Sequence, residues 1–408
     1  MMNNKLFSFL LGNIGVFGIR FLYFIVLTFT LSIQEIASFT TNISISSIIL
    51  CLCTYGSYNL FMRRSAKGED GKKIIGEYIS SSFILLILTI ILISIFFSFL
   101  NTSIELYDLI LILIAEYSFT AIPGIFKSYA LSEYDRSIFI DSITNIISSC
   151  LLLLASLFLL FFHMKIEDTY SSWINTYLII SIFSFLFRIF IWKDKLVLPS
   201  ISSLPKIIIT QMKSGHNFMI SSVFRNSYLN IDKILIYSLL GKEIAGLYAI
   251  SFRFFNVFLM LLNSISGVKE AILYQLAEES KLKLKHEFKV IQHSTIKYFL
   301  YSIPLWLIIS IGIFNYYPIT CFYMFLSLFF LCPIQLLSLS KLNLLNSISL
   351  ENHRLILMLA GFIFNIVISF SLYNYLSWLA IIIGLLTSSL TILIPGHYLF
   401  KNKYLNNK

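Results

Sequence analysis

The chain has 408 residues, of which 58% are hydrophobic and only 12% charged, at a mean hydropathy of +0.85. A soluble domain carries about 25% charged residues, so the composition excludes a soluble enzyme or binding module and indicates a polytopic membrane protein. The net charge of +10 calls for no nucleic acid, because cytoplasmic loops of membrane proteins collect lysine and arginine.

The opening stretch, "MMNNKLFSFLLGNIGVFGIRFLYFIVLTFTL", is too long for a cleaved signal peptide and lacks a small-residue cleavage site. It is expected to be a retained first span, about 7–31, with Arg20 near its middle. A bilayer core needs about 20 apolar residues per helix. On that measure further spans follow at about 39–60, 79–100, 107–126, 138–162 and 173–192. Glu116 falls in the fourth, Asp141 near the start of the fifth, and Arg188 near the end of the sixth. The linker "KDKLVLPSISSLPKIIITQMKSGH", 193–216, comes next. Six more spans are expected at about 217–238, 246–267, 298–314, 319–340, 355–373 and 378–399. The apolar runs are continuous rather than alternating, so the spans are helices and not barrel strands. The fold class is an all-α membrane protein with twelve transmembrane helices.

With the N-terminus in the cytoplasm, 23 of the 30 Lys and Arg residues fall in cytoplasmic segments. Only Lys165 and Lys242 fall outside, and five lie within spans. That is the bias the positive-inside rule requires, and it places both termini in the cytoplasm. The linker near the midpoint divides the chain into 1–192, 193–216 and 217–408. A faint echo supports two repeats, with "QEIASF" (34–39) after span 1 and "KEIAGL" (242–247) after span 7. Both sit at the same topological place, which makes the repeat parallel, about an axis along the membrane normal.

Nothing in the chain resembles a cofactor site. The five cysteines lie in apolar runs without a disulfide framework, and the six histidines show no metal-ligand spacing. A phosphate-binding glycine loop is missing, so direct use of ATP is not expected. The chemistry lies in charges within the spans, which are costly at bilayer depth and face a protein interior or a wet cavity. Arg225 and Asp232, seven apart, are about 20° short of two helical turns and share a face of span 7. Asn226, Asn230 and Lys233 flank that face, and Arg253 and Asn256 begin a polar stripe on span 8. Arg20, Arg225 and Arg253 outnumber the deep acids near them, and an arginine fork suits phosphate. The expected substrate-binding set is therefore Arg20, Arg225, Asp232, Lys233, Arg253 and Asn256. Glu116 and Asp141 are candidates for a coupling proton or sodium ion. Structural readings stay open beside these. Lys233 can neutralise Asp232, and Arg188 and Asp141 can snorkel or pair near an interface. The basic segment 269–289 fits either a membrane-surface helix or a solvated connection, and "RRSAKGEDGKK", 63–73, reads as a plain inside loop.

The stretch "SGHNFMISSVFRNSYLNIDKILIYSLLGKEIAGLYAISFRF", 214–254, resembles the seventh and eighth helices of bacterial polysaccharide flippases. The shared features are Gly215, the Asp232-Lys233 pair, the Leu240-Gly241 turn and the Gly246-Leu247-Tyr248 opening of the next helix. Partial matches occur at 55–65, 130–149 and 344–370. Two departures stand out: Ser38 replaces a glycine near the outer turn of span 1, and span 12 holds few small residues.

The resemblance implies the MATE-like architecture of the multidrug/oligosaccharidyl-lipid/polysaccharide (MOP) superfamily, with two six-helix bundles facing a central cavity. It also implies translocation of an undecaprenyl-diphosphate-linked oligosaccharide, of O-antigen or capsule type, across the bacterial inner membrane. Alternating access would move it, with the arginines holding the diphosphate and acidic sugars. Membrane lipids, a polysaccharide polymerase and a chain-length regulator would be its partners.

Three other classes of membrane protein stand beside this one. A membrane polymerase of the same lipid-linked units would carry a long outer loop with catalytic arginines. Outer segments such as "NTSIELYD" (101–108) are about ten residues or fewer. A drug or metabolite exporter of the same superfamily would place acids rather than arginines in its cavity. A major-facilitator transporter would show its G-x-x-x-D-[RK]-x-G-[RK]-[RK] motif between spans 2 and 3, and "MRRSAKGEDGKK" does not match it.

Overall fold

A computed structural model describes residues 2–99, 105–132, 135–162, 168–267, 273, 276–277, 279–348 and 350–405. Among these residues the chain is helical, with short turns and no strand. It divides into two compact units, Met1–Asn226 and Ser227–Lys408.

The first unit contains α1 (Met2–Thr30), α2 (Ile33–Thr54), α3 (Ser57–Ala66), α4 (Gly71–Ser98), α5 (Leu106–Glu116), α6 (Ile122–Ser132), α7 (Asp135–Phe162) and α8 (Thr169–Trp192). It also contains the start of α9 (Leu204–Gly267). The outer turn at "SIQE" starts α2 with a reciprocal cap. Ser32 N–H donates to Glu35 Oε2 at 2.7 Å, and Glu35 N–H donates to Ser32 Oγ at 3.3 Å. Two otherwise unpaired backbone donors are satisfied in this way. At the other end of α2, Tyr55 (φ 44°) and Gly56 (φ 73°) turn the chain into α3. A Cβ on Gly56 would come within 2.7 Å of Phe218 Cβ, so the tight approach of α9 needs glycine there. Between α5 and α6 the helix widens into a π-turn, Tyr117–Ala121, directly after Glu116. Such bulges re-aim side chains without breaking a helix.

The core of this unit gathers Leu113, Ile122, Phe126, Tyr129 and Trp192 among other buried side chains. The opposite faces are apolar and open. On α4, Phe83, Ile87, Leu88, Ile91, Leu92 and Ile95 are all exposed at helical spacing. A contiguous apolar stripe of this length has no place in water and fits a lipid-facing surface.

The second unit comprises the rest of α9, then α10 (Lys281–Tyr316), α11 (Ile319–Ser347), α12 (Glu351–Leu376) and α13 (Trp378–Leu399). Within α9, Gly241 takes φ 83° and ψ 174°, outside helical geometry. In a straight helix sixteen residues span about 24 Å, yet Tyr248 Oη lies 2.6 Å from Asp232 Oδ2. The segment therefore folds back at Gly241 into a hairpin with limbs 204–240 and 242–267. This is the turn expected between the seventh and eighth spans. Small residues allow α13 to approach α12 closely. A Cβ on Gly384 would lie 2.5 Å from Ser369 Oγ and 2.6 Å from Asn365 Oδ1, and Gly361 faces the Ser388 carbonyl. Of the small residues of the last span, Gly384 and Ser388 face α12, whereas Gly396 packs on Lys341 of α11.

Among the described residues ten helices are long and apolar enough to cross a membrane, and the shorter apolar helix Gly15–Thr30 accompanies them. One of the ten, Ile201–Met260, has 60 residues and includes the Gly241 hairpin. The segment 193–216 is part turn and part helix. Turns and extended chain occupy 193–203, and α9 begins at Leu204 rather than at 217. The physical reason is Pro205. Proline in the first turn of a helix lacks only a backbone donor that would be unpaired there anyway, so it starts α9 instead of marking a loop. Part of segment 269–289, including Lys269, lies outside the described residues, and its later half is the start of α10.

Candidate functional site

In the first unit a half-open cavity of about 220 Å³ is lined by Arg20, Phe119, Lys127, Asp141 and Asn145, among others. Arg20, on α1, stacks its guanidinium on Phe119 of the π-turn, 4.5 Å from the ring centre. The π-turn is what presents Phe119 here, so the local widening of the helix positions the arginine.

Asp141 forms one wall with Asn145, one turn along α7. Asn145 Nδ2 donates to Asp141 Oδ2 at 3.1 Å and to the Asp141 carbonyl at 2.9 Å. Arg188 of α8 closes the group, donating from Nη1 to Asp141 Oδ1 and from Nη2 to Asn145 Oδ1 at 2.9 Å. Arg188 is 2% exposed. Of the readings open for it, pairing is the one found. Two ionised groups out of water are tolerable only when their remaining polar atoms are bonded, and Asn145 supplies those bonds.

Glu116 also belongs to the first unit. It is buried, and its Oε1 accepts from Tyr177 Oη at 2.5 Å. Tyr177 belongs to α8, whereas Glu116 ends α5, so this bond ties two helices beside the π-turn. Arg20, Glu116 and Asp141 all belong to the first unit, and Arg20 and Asp141 line the same cavity. Arg225 is exposed, and the neighbouring Asn226 donates to the Ser47 carbonyl and to Cys51 Sγ, both at 3.0 Å.

In the second unit Asp232 is completely buried. Its Oδ2 accepts from Tyr248 and its Oδ1 from Lys233 Nζ at 3.3 Å. Lys233 also donates to the Leu229 carbonyl at 2.9 Å and sits 3.8 Å above the Phe252 ring. Asp232 and Lys233 therefore neutralise each other, the structural alternative left open for them, and both reach across the hairpin to the second limb. Arg253 and Asn256 on that limb are half-buried.

Sequence reasoning missed Lys127, Asn145, Tyr177 and Tyr248 as members of these groups. Asn145 was within reach, since it follows Asp141 by one helical turn. Tyr177 and Tyr248 carry no such signal, because their partners are 61 and 16 residues away. Among the described residues no cluster of His, Cys, Asp and Glu is able to hold a metal ion.

The model of the "polysaccharide biosynthesis protein" family matches residues 3–269, well over half of the chain. The chain belongs to this family. Its fold is that of MOP superfamily transporters. It superposes on a MOP superfamily transporter from Pyrococcus furiosus with a TM-score of 0.66 at 12% identity, covering 98% of this chain and 96% of the other. That structure is described by a reversed polarity of its binding pocket that suggests a different function. An inward-facing MATE family multidrug resistance transporter gives 0.64 at 12% identity, covering 97% and 96%. A MATE protein in complex with MaL6 gives 0.63 at 13% identity, covering 98% and 97%. Among curated protein sequences none matches. Family membership, apolar helices long enough to span and this fold together make the chain a multi-pass membrane protein of the polysaccharide biosynthesis family.

Proposed function

We propose that this member of the polysaccharide biosynthesis family is a flippase. Its cargo is an undecaprenyl-diphosphate-linked oligosaccharide, moved from the inner to the outer leaflet of a bacterial cytoplasmic membrane by alternating access. The observation that carries the reading is the family match over 3–269 joined to a transporter fold along the whole chain. The chain crosses the membrane twelve times, as two six-helix halves, with both ends in the cytoplasm. Support comes from the 23-to-2 Lys/Arg bias and from the hairpin at Gly241, which lets the 60-residue segment cross twice.

Arg20, Arg225 and Arg253 hold the diphosphate and acidic sugars. Arg225 is exposed and Arg20 and Arg253 are half-buried, so each is accessible enough to meet a ligand. Asp232 and Lys233 set the shape of the helix hairpin that carries Arg253. An ion gradient drives the cycle. Glu116 and Asp141 are the candidates to hold the coupling proton or sodium ion; Asp141 is already paired with Arg188, and Glu116 is bonded by Tyr177.

The test is a deletion strain in which surface polysaccharide and lipid-linked intermediates are measured together. Loss of every repeat unit from the outer acceptor, with single lipid-linked units accumulating on the cytoplasmic leaflet, is expected. An acceptor carrying one repeat unit but never a longer chain would make the protein a polymerase instead.

A further inference from the structure

The loop 63–73 looks unremarkable in sequence, but the fold makes it one wall of a large cleft. The cleft has a volume of about 880 Å³ and lies wholly within the first unit. Its walls are α3, the start of α4, the extended linker and the first turns of α9. The linker is fixed rather than draped. Val197 N–H donates to the Lys72 carbonyl at 3.3 Å, and a Cβ on Gly76 would meet the Val197 carbonyl oxygen at 2.0 Å. Gln211 forms a buried floor, accepting from Ser81 Oγ at 2.5 Å and donating to the Thr54 carbonyl at 3.0 Å.

Charge in the cleft is unbalanced. It contains two acids, Glu69 and Glu77, and Arg64 binds both at 2.7 Å. Arg63, Lys67, Lys73 and Lys206 also line it, and among the described residues none of these four forms an ion pair. All four are exposed. Beside them the linker holds Val197, Leu198 and Ile201 in the open, at 50%, 68% and 85% exposure. Cations beside unburied aliphatic side chains are the composition of a surface that lies in the headgroup layer.

We propose that this cleft binds the phosphate of an anionic phospholipid. Arg63, Lys67, Lys73 and Lys206 hold the phosphate, and Val197, Leu198 and Ile201 enter the acyl boundary. A soluble phosphate ligand would satisfy the cations but would leave the three aliphatic residues in water, which is why a lipid is the occupant. The lipid would tie the linker to the α3–α4 turn and so steady the start of α9. That the leaflet is the inner one rests on the orientation proposed above; the binding does not depend on it.

The test uses the full-length protein in a neutral detergent, with bound lipid counted by mass spectrometry of the intact complex. Phosphatidylglycerol, phosphatidylcholine and free glycerol phosphate are the probes. The triple variant K67Q/K73Q/K206Q alters only exposed side chains, and K193Q/K297Q/K401Q, likewise exposed and outside the cleft lining, is the charge-matched control. The wild type and the control should retain phosphatidylglycerol in preference to phosphatidylcholine. The cleft variant should bind it about tenfold or more weakly. Equal binding by the cleft variant and the control would overturn the site. Full displacement of the lipid by glycerol phosphate at matched concentration would overturn the lipid and leave a soluble phosphate ligand. Transport is not read in this experiment, so its failure is distinct from failure of the flippase proposal.

Discussion

Tyr248 donates its hydroxyl to the buried carboxylate of Asp232 at 2.6 Å, joining the two limbs of a helical segment that reverses at Gly241. Hydrogen bonds to a charged group are worth about 1.5–3 kcal/mol, and a buried acceptor stripped of its donor bears the desolvation cost. Tyr248→Phe keeps the ring and removes only that donor. A fall in unfolding midpoint equivalent to about 1.5–3 kcal/mol is expected in detergent-purified protein. An unchanged midpoint would mean that Lys233 alone satisfies the carboxylate.

Asp141 and Arg188 should behave as a coupled pair. Removing one partner of a buried ion pair typically costs about 3–5 kcal/mol, whereas replacing both by apolar residues is often neutral. Arg188→Met and Asp141→Leu are each expected to lower membrane protein levels and thermal midpoint strongly. The double variant should recover much of the loss. A double variant as unstable as the sum of the singles would show that the pair does not act as a unit.

Gly241 and Gly312 offer a contrast of sign. A Cβ would meet nothing within 4 Å at either position. At Gly241 the backbone is left-handed and strained for any L side chain, so Gly241→Ala should destabilise by about 1–3 kcal/mol. Gly312 lies inside α10 with helical geometry, and alanine there should stabilise by about 0.5–1 kcal/mol. Thermal midpoints of the two variants, measured side by side, check both signs.

Arg225→Ala and Arg253→Ala test the arginine site one residue at a time. Each is expected to reduce surface polysaccharide severalfold at normal protein level, with Lys in place of Arg restoring it only in part, because a lysine cannot form the bidentate contact. Immunoblotting for the protein together with a quantitative assay of the glycan makes the comparison. Full glycan export by both alanine variants would remove these residues from the binding site.

The amino-acid sequence alone determined that the chain belongs in a membrane and where its apolar runs lie. Hydropathy is a local property, summed over neighbouring residues, and the apolar runs expected at 79–100 and 138–162 overlap α4 and α7, while the helix ends differ by up to several residues. It also singled out candidate side chains, since a charge at bilayer depth is conspicuous against its background, as Arg20, Glu116, Asp141 and Asp232 are. What each charge does was decided by tertiary structure. Arg188 could snorkel or pair from its position near the end of a span, and only the packing of α8 on α7 sets it against Asp141, 47 residues away. The same holds for Tyr177 on Glu116 and for the cleft that gathers Arg63, Lys73 and Lys206. Contacts between distant residues depend on how helices meet, and a local hydropathy pattern carries no information about that meeting.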